Sequence, residues 1–429
     1  MKLLVLGGGG REHALAWKMA QSSYVSCVYV APGNAGTAEE AGLNNIDLDI
    51  ADFAAIANFV QNFDVELVVV GPETPLVGGI RDYMDAQNIP CFGPSKAAAQ
   101  LEGSKTFSKE FMQRHHIPTA RFETFTELEP ALAYLEKAGL PIVIKADGLA
   151  AGKGVVVANS VGEARIAVTG MLSHNAFGDA GKRVLIEEFL KGEEASFICL
   201  CDGTHSIAFA SSQDHKARDN GDMGPNTGGM GAYSPAPVVS EEVAARIMRE
   251  VIEPTVKGMA DEGMPYQGFL YAGLMVANDG SVRVIEFNCR FGDPEAQPVL
   301  MRLQSDLVEL LQKSLTGRLQ GAQLIWDERV ALGVVMAAGG YPGSYQTGSV
   351  ISGLEDAQGH GHTKVFHAGT RQEGKQTLTN GGRVLCVVGL GNSTSEAQSA
   401  AYARLSSITW QDVYYRTDIG YRAISHDKN

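Results

Sequence analysis

Glu286, Asn288 and Arg290 stand two residues apart in VIEFNCRFGDPE, the stretch from Val284 to Glu295. Val284, Ile285 and Phe287 are β-branched or aromatic, types that suit a strand. Side chains two apart on a strand share a face. A carboxylate and a neutral amide oxygen on one face are hard ligands, suited to Mg²⁺ held in part by a nucleotide's phosphates. Arg290 follows on the same face, where its guanidinium can clamp an anion. Gly292 and Pro294 end the strand. A buried strand end with a surface ion pair would share this outline, but two oxygen ligands and an arginine favour chemistry.

Phosphates need cations and pliant backbone. PIVIKADGLAAGKGVVVA, Pro141 to Ala158, has two apolar strands around a loop with Gly148, Ala150, Ala151 and Gly152, then Lys153 and Gly154. Three residues separate Gly148 from Gly152, and Lys153 precedes a glycine, so this is not a Walker A loop. A glycine-rich flap over phosphates, with Lys145 beneath it, fits better than a plain hairpin. In EEFLKGEEAS, Glu187 to Ser196, extended backbone at Glu188 to Leu190 can pair with a purine edge. Phe189 and Leu190 can add apolar contact, and Glu193 can accept from ribose hydroxyls. Alone, this segment is an ordinary polar connection. Ser211 to Ser234 is irregular and rich in Gly, Asp and Asn. Loops of that length inside a domain are usually functional or disordered. Asp214 to Lys216 and Asn226 to Pro235 mark it as a substrate loop.

A second phosphate site is expected at the N-terminus. Gly7 to Gly10 follow the apolar run KLLVL. Gly7 and Gly9 fit a dinucleotide fingerprint, but Glu12 replaces its third glycine and no acid ends the second strand at Val30 to Gly33. A phosphorylated small molecule fits better: N–H groups at a helix start receive phosphate, and Arg11 adds charge. A turn that only packs helix on sheet makes poor use of four glycines.

The scaffold for these groups begins as strands alternating with helices. Residues 2–6, Tyr24 to Val30, Val65 to Val70 and the region of Cys91 and Phe92 read as strands. Helices run from Arg11 to Met19 and from Asp52 to Phe63. The alternation implies a parallel, doubly wound sheet. Such sheets bind ligands at the carboxyl ends of their strands, where the tetraglycine and Gly71 to Thr74 fall. Ser104 caps a helix through His115, and a long helix from Ser240 to Met259 bends at Pro254. Asn278 to Gly280 turn a hairpin into the Glu286 strand. Near Ala331 a separate C-terminal domain begins. His360, His362 and His367 lie in it without acidic or cysteine partners, which reads as a solvated loop rather than a metal site.

A length of 429 residues suggests about three domains. The formal charge of −14 argues against nucleic acid or an anionic membrane as the partner. Local basic residues can still hold a nucleotide. Six scattered cysteines without Cys-x-x-Cys units, no secretory signal and no apolar span of roughly 20 residues suit a reducing cytoplasm.

GGREHA (Gly9 to Ala14), VGPE (Val70 to Glu73), KADGLAAGKGV (Lys145 to Val155), QDHK (Gln213 to Lys216), GPNTGGMGAYSP (Gly224 to Pro235) and EFNCRFGDPE (Glu286 to Glu295) stand in order along the chain. Together they resemble the phosphoribosylamine–glycine ligase family of the ATP-grasp superfamily, over nearly the whole chain. The resemblance implies a multidomain α/β and α+β protein. Residues 1–103 would form the parallel substrate domain and 104–327 a two-lobed ATP-grasp region. Its flap lobe would span about 122–192 and its metal and substrate lobe about 193–327. A small C-terminal α+β domain would fill 328–429. The implied reaction joins glycine to 5-phosphoribosylamine at the expense of ATP, through glycyl phosphate, with Mg²⁺ or Mn²⁺. Lys105 and Lys145 would contact ATP phosphates, with Gly152, Lys153 and Gly154 closing over them. Glu187, Glu188, Leu190 and Glu193 would hold adenosine, and Glu286 and Asn288 the metal. Arg290 would stabilise the transferring phosphoryl group. Gly10, Arg11, Glu12 and Glu73 would face phosphoribosylamine, and Asp214, His215 and Lys216 would help arrange the acceptors. A transient contact with the enzyme that makes phosphoribosylamine is a further expectation.

Two departures stand out. Ala217 follows DHK where many relatives carry Arg, with Arg218 one place later. Tyr271 to Val276 lacks the acid that many ATP-grasp enzymes carry there, which leaves metal coordination to Glu286, Asn288 and the phosphates. Two rival readings are weaker. A regulatory protein that had lost catalysis would show damage at Lys145, Glu286, Asn288 or Arg290, and all are intact. A dehydrogenase reading fails at Glu12 and Ala31.

Overall fold

The computed structural model describes residues 1–149, 154–173, 181–355 and 362–426. Gly152, Lys153 and His360 lie outside the described residues. The first strands are β1 (Lys2–Gly7), β2 (Cys27–Pro32), β3 (Leu43–Asn45), β4 (Leu67–Val70) and β5 (Cys91–Phe92). They pair in parallel in the order β3-β2-β1-β4-β5. Leu3 to Leu6 are fully buried, as a sheet covered on both faces requires. The winding reverses between β1 and β4, so their carboxyl ends open a crevice. Gly7 to Gly10 and Gly71 to Glu73 line it.

β6 (Phe122–Phe125), β7 (Ile142–Ala146), β8 (Val155–Ala158) and β9 (Val184–Glu188) form an antiparallel sheet, β6-β9-β7-β8. Helices Leu128–Leu135 and Val161–Leu172 pack on it through Ala131, Leu135, Ala164 and Val168. Next come β10 (Glu193–Asp202), β11 (Ser206–Ala208), β12 (Gln213–Asp214), β13 (Ala217–Asp219), β14 (Met223–Asn226), β15 (Gly231–Ser234), β16 (Gln267–Val276) and β17 (Val282–Asn288). Of these, β11-β10-β16-β17 make a second antiparallel sheet.

The C-terminal strands are β18 (Val330–Ala337), β19 (Thr363–His367), β20 (Thr370–Glu373), β21 (Gln376–Thr379) and β22 (Arg383–Gly391). Their main sheet runs β12-β15-β18-β22-β19, so it takes in strands from both sides of position 328. The stretch Ser211 to Ser234 is therefore not irregular. β13 pairs with β14, and β15 pairs with β18 about a hundred residues on, a partnership its Gly-rich composition hides. The helix after Ser240 is also not a simple bend. A π-helical turn, Met248–Ile252, joins Glu241–Ile247 to Glu253–Asp261. Pro254 lacks the N–H that would continue the α-helical ladder. Among the described residues, no helix is long and apolar enough to cross a membrane.

The first and last domains meet around two histidines. His367 is buried rather than solvated, and its N–H donates to His13 Nδ1 at 2.9 Å. Burial lowers the pKa of both rings, His367 to about 3. Neutral His13 then places its Nε2 3.3 Å from Glu40, which also holds Lys364 at 2.7 Å. Burial opposes charge on Glu40, yet the His13 and Lys364 bonds outweigh it and hold the carboxyl at about 2. A depressed carboxylate stabilises fully above its unfolded value and loses that contribution as pH falls through the folded one. Glu40→Gln should therefore lower the melting temperature at pH 7. Calorimetry should show the deficit shrinking between about pH 4.5 and 2.

Candidate active site

Glu286 lies opposite Gly273 and Asn288 opposite Tyr271 in the β16–β17 ladder. Between Gly273 and Leu274 the register slips by one residue, which leaves Ile285 without a partner. Such a bulge frees backbone groups, and the Ile285 carbonyl accepts from Lys145 Nζ at 3.2 Å. Past the strand end, Arg290 donates to Asn288 Oδ1 at 3.0 Å and to the Phe291 carbonyl at 3.2 Å. It also pairs with Glu102 at 3.0 Å and Glu73 at 3.4 Å. Burial raises the Glu102 pKa despite the nearby Arg290. Glu102 further accepts from the Cys289 N–H at 2.7 Å. On Glu73, burial opposes charge, but Arg290 and Arg11 outweigh it and lower the pKa.

The expected phosphate cations sit on the other side of Glu286. Ser104 caps helix Lys105–Arg114 by accepting from the Phe107 N–H. Lys105 donates to the Gly148 carbonyl at 3.0 Å, and the Asp147 carboxylate accepts from the Thr106 N–H at 2.7 Å. The entry to the flap is thus tied to a helix start. The Gly154 carbonyl accepts from the Ala146 N–H at 2.8 Å, which closes the flap base. Lys145 and Lys109 both pair with Glu187 Oε2, at 3.1 and 2.9 Å. Burial lowers the Lys105 pKa, and that of Lys109 to about 8.

The adenosine set divides. Glu188 alternates to the opposite face from Glu187 and pairs with Arg121 at 2.9 Å and Arg283 at 2.8 Å. Its side chain therefore points away from the lysines, and only its backbone lies beside the partly exposed Leu190. Glu193 contacts His426 at 3.1 Å, a residue of the C-terminal helix Tyr421–His426.

On the acceptor side, Lys216 lies 3.1 Å from Glu194 and 4.0 Å from Glu286. Burial opposes charge on Lys216, but Glu194, Asp214 and Glu286 hold its pKa well above the usual value. Burial, with Glu295, Glu194 and Glu286, pushes Asp214 up to about 8 against the pull of Lys216. His215 does not join them. Strand alternation turns it away, and its Nε2 accepts from the Gly420 N–H at 3.0 Å beside Tyr233 and Tyr421. Arg218 does not stand in at Ala217 either; it pairs with Asp219 at 2.8 Å.

At the N-terminal turn, Arg11 and Glu12 are both buried and bonded to each other at 2.6 Å. Glu12 also accepts from the Gly9 N–H at 2.8 Å. A Cβ on Gly7 or Gly71 would come within 2.4 or 2.1 Å of Glu12. The carboxylate thus closes the turn from beneath rather than facing a ligand, which explains the missing third glycine. Gly10 fits against Gln297, where a Cβ would come within 2.4 Å of the amide. Gly71→Ala should cost about 1–3 kcal/mol of stability by overpacking, read as a lower melting temperature.

Glu102, Lys109 and Arg383 join the site without standing in any of the motifs, and Glu194 joins it from the segment Glu187 to Ser196, where no role was expected of it. Lys109 carries a signal, since it lies one helical turn beyond Lys105 on the same face. Arg383 carries none. It donates to the carbonyls of Gly228 and Asp293 at 2.6 and 2.7 Å, so the C-terminal domain pins the substrate loop.

Two oxygen donors fit a hard divalent cation that takes its other ligands from phosphates and water. Among the described residues, no group of three His, Cys, Asp or Glu is placed to hold a metal by itself.

Three family models match the chain, all for phosphoribosylglycinamide synthetase. The N domain matches residues 1–102, the ATP-grasp (A) domain 103–296 and the C domain 331–422. The phosphoribosylamine–glycine ligase of Allochromatium vinosum is 60% identical over 429 residues, with 100% of both chains covered. That of Escherichia coli K12 is 59% identical over 432 residues, again with 100% of both covered. The crystal structure of the Thermotoga maritima ligase superposes with a TM-score of 0.83 at 31% identity, covering 98% of this chain and 100% of that one. With domain models and full-length relatives in agreement, the chain belongs to the phosphoribosylglycinamide synthetase family, whose members here are phosphoribosylamine–glycine ligases with an ATP-grasp domain.

Proposed function

We propose that the protein ligates glycine to 5-phosphoribosylamine, giving glycinamide ribonucleotide, ADP and phosphate in purine biosynthesis. One observation carries the reading. Burial opposes charge on Glu286, yet Lys216, Lys145, Lys105 and Arg290 together hold its pKa below the usual range. Lys216 lies 4.0 Å from Glu286, Lys145 is bonded to the Ile285 carbonyl and Arg290 to Asn288, and cations gathered along one strand suit a bound polyphosphate.

Glycine's carboxylate is a poor electrophile. Its oxygen attacks the γ-phosphorus of ATP in line, the bond to the β-phosphate oxygen breaks, and ADP leaves. The nitrogen of phosphoribosylamine then attacks the acyl carbon of glycyl phosphate, phosphate departs, and the nitrogen loses a proton. Transfer of this kind depends on positioning and charge stabilisation. Lys105 and Lys145 bind the phosphates, and Arg290 steadies charge on the transferring group. The backbone at Glu188 to Leu190 receives the purine, and Glu193 the ribose. Lys216 and Asp214 orient the acceptors, and the crevice beside Gly10, Arg11 and Glu73 takes phosphoribosylamine. The flap from Gly148 to Gly154 excludes water, to which acyl phosphates are labile. The ATP-grasp family uses ATP and a divalent metal; Mg²⁺ or Mn²⁺ between Glu286, Asn288 and the phosphates would neutralise phosphoryl charge.

ADP release should require glycine, phosphoribosylamine and Mg²⁺ together, with the unstable amine generated in the assay. Robust turnover with bicarbonate or formate in place of glycine would sink the assignment. The same instability favours a transient contact with the enzyme that makes the amine, testable by cross-linking the two during turnover. All six cysteines are unpaired, which suits a reducing cytoplasm.

A further inference from the structure

We infer that Lys109 is a positioning residue for ATP, one that offsets Glu187 so that Lys145 keeps its charge for the phosphates. The inference rests on the reading that Lys145 meets those phosphates. Lys109 is 2% exposed, and its ammonium is taken up by Glu187 and Thr119. Its Nζ lies 2.9 Å from Glu187 Oε2, the same oxygen that Lys145 approaches to 3.1 Å. Lys145 and Glu187 alone sum to zero. With Lys109 the trio carries one net positive charge, and Lys145 is its member nearest Glu286's strand.

The trio also braces that strand. Lys109 Nζ donates to Thr119 Oγ1 at 2.7 Å, and Thr119 donates to the Val284 carbonyl at 2.7 Å. Lys145 donates to the next carbonyl, Ile285, at 3.2 Å. Both lysines are thus held to consecutive residues leading into Glu286. A buried ion pair is weak evidence of a stabilising role, because desolvation opposes it. Burial lowers the Lys109 pKa to about 8, so the site holds this charge against its own cost. Offsetting Glu187 gives that charge a use.

The test compares Lys109→Met, Lys109→Arg, Lys145→Met and the double variant Lys109→Met/Glu187→Gln in the full chain. Lys109→Met should raise the KM for ATP roughly tenfold or more. Saturated kcat and the KM for glycine should stay within about threefold of wild type. Lys109→Arg should recover most of the loss. So should the double variant, because the amide removes the charge Lys109 offsets while keeping an oxygen in place. An unchanged KM for ATP in Lys109→Met would overturn the inference, as would a double variant as weak as the single one. Should Lys109→Met fail to fold, the double variant, which restores the trio's single net positive charge on Lys145, decides the matter through its own KM for ATP. If Lys145→Met raises the KM for ATP and Lys109→Met does not, the role of Lys109 alone fails. If Lys145→Met leaves it unchanged, the phosphate reading of Lys145 fails.

Discussion

Glu286→Ala should reduce kcat by roughly 1,000-fold, the order seen when a preorganised charge-stabilising group is lost, while the protein stays folded. The two halves of this expectation have separate physical grounds. Catalysis suffers because Glu286 is the one charged oxygen on its strand face, and Asn288 alone offers a neutral ligand. The fold is spared because Glu286 is partly exposed and its nearest cation, Lys216, lies 4.0 Å away. The surrounding cations keep other carboxylates: Glu194 for Lys216, Glu187 for Lys145 and Glu102 for Arg290. A second consequence is readable. Glu286 helps hold Asp214 up at about 8, so its removal should lower the Asp214 pKa and shift any alkaline limb of the pH–rate profile downward. Glu286→Gln, which keeps an oxygen but no charge, should fall between wild type and Glu286→Ala. Steady-state ADP release with a matched thermal melt checks both halves. A Glu286→Ala enzyme within tenfold of wild type would remove the residue from the chemistry.

Local pattern is legible where one strand or one turn decides the outcome. Alternation alone puts Glu286 and Asn288 on one face, and β17 carries both. The same rule, applied to Asp214, turns His215 away, because neighbours on a strand face opposite sides. A motif that groups three consecutive residues obscures it. Glu188 repeats the lesson beside Glu187. The glycines of the N-terminal turn suggest a phosphate cradle. Gly7 and Gly71 instead leave room for Glu12, a constraint visible only once β1 and β4 are neighbours.

What sequence does not supply is distance along the chain. Glu102 meets Arg290 across almost two hundred residues, and Arg383 meets the substrate loop from the far domain. Neither sits in a periodic pattern that names its partner. The strands inside Ser211 to Ser234 escape notice for the same reason. β15 gains its ladder from β18, and polar composition hides pairing with a distant strand. Lys109 lies between these cases. Its helical spacing from Lys105 is plain, but the helix face it shares gains meaning only when Glu187 arrives from β9.

Arg290→Lys should cut kcat roughly 100-fold although the charge is retained, because the fork geometry is what the site uses. Arg290 reaches Glu73 from its Nε and both Glu102 and Asn288 from one terminal Nη of the same rigid plane. A lysine ammonium can sit beside one of the two carboxylates, not both, and it releases the Asn288 oxygen from its fixed position. Arg290→Met tests the charge separately. Burial already raises the Glu102 pKa, and Arg290 is the largest opposing influence. Without it, Glu102 should rise further and bind its proton more tightly. A carboxyl with a raised folded pKa stabilises below its unfolded value and loses that contribution as pH rises through the folded one. The melting-temperature deficit of Arg290→Met should therefore be smaller at pH 5 than at pH 8, while that of Arg290→Lys should change little. An Arg290→Lys enzyme with wild-type kcat would show that charge alone suffices. A deficit in Arg290→Met independent of pH would show that Glu102 does not depend on this arginine.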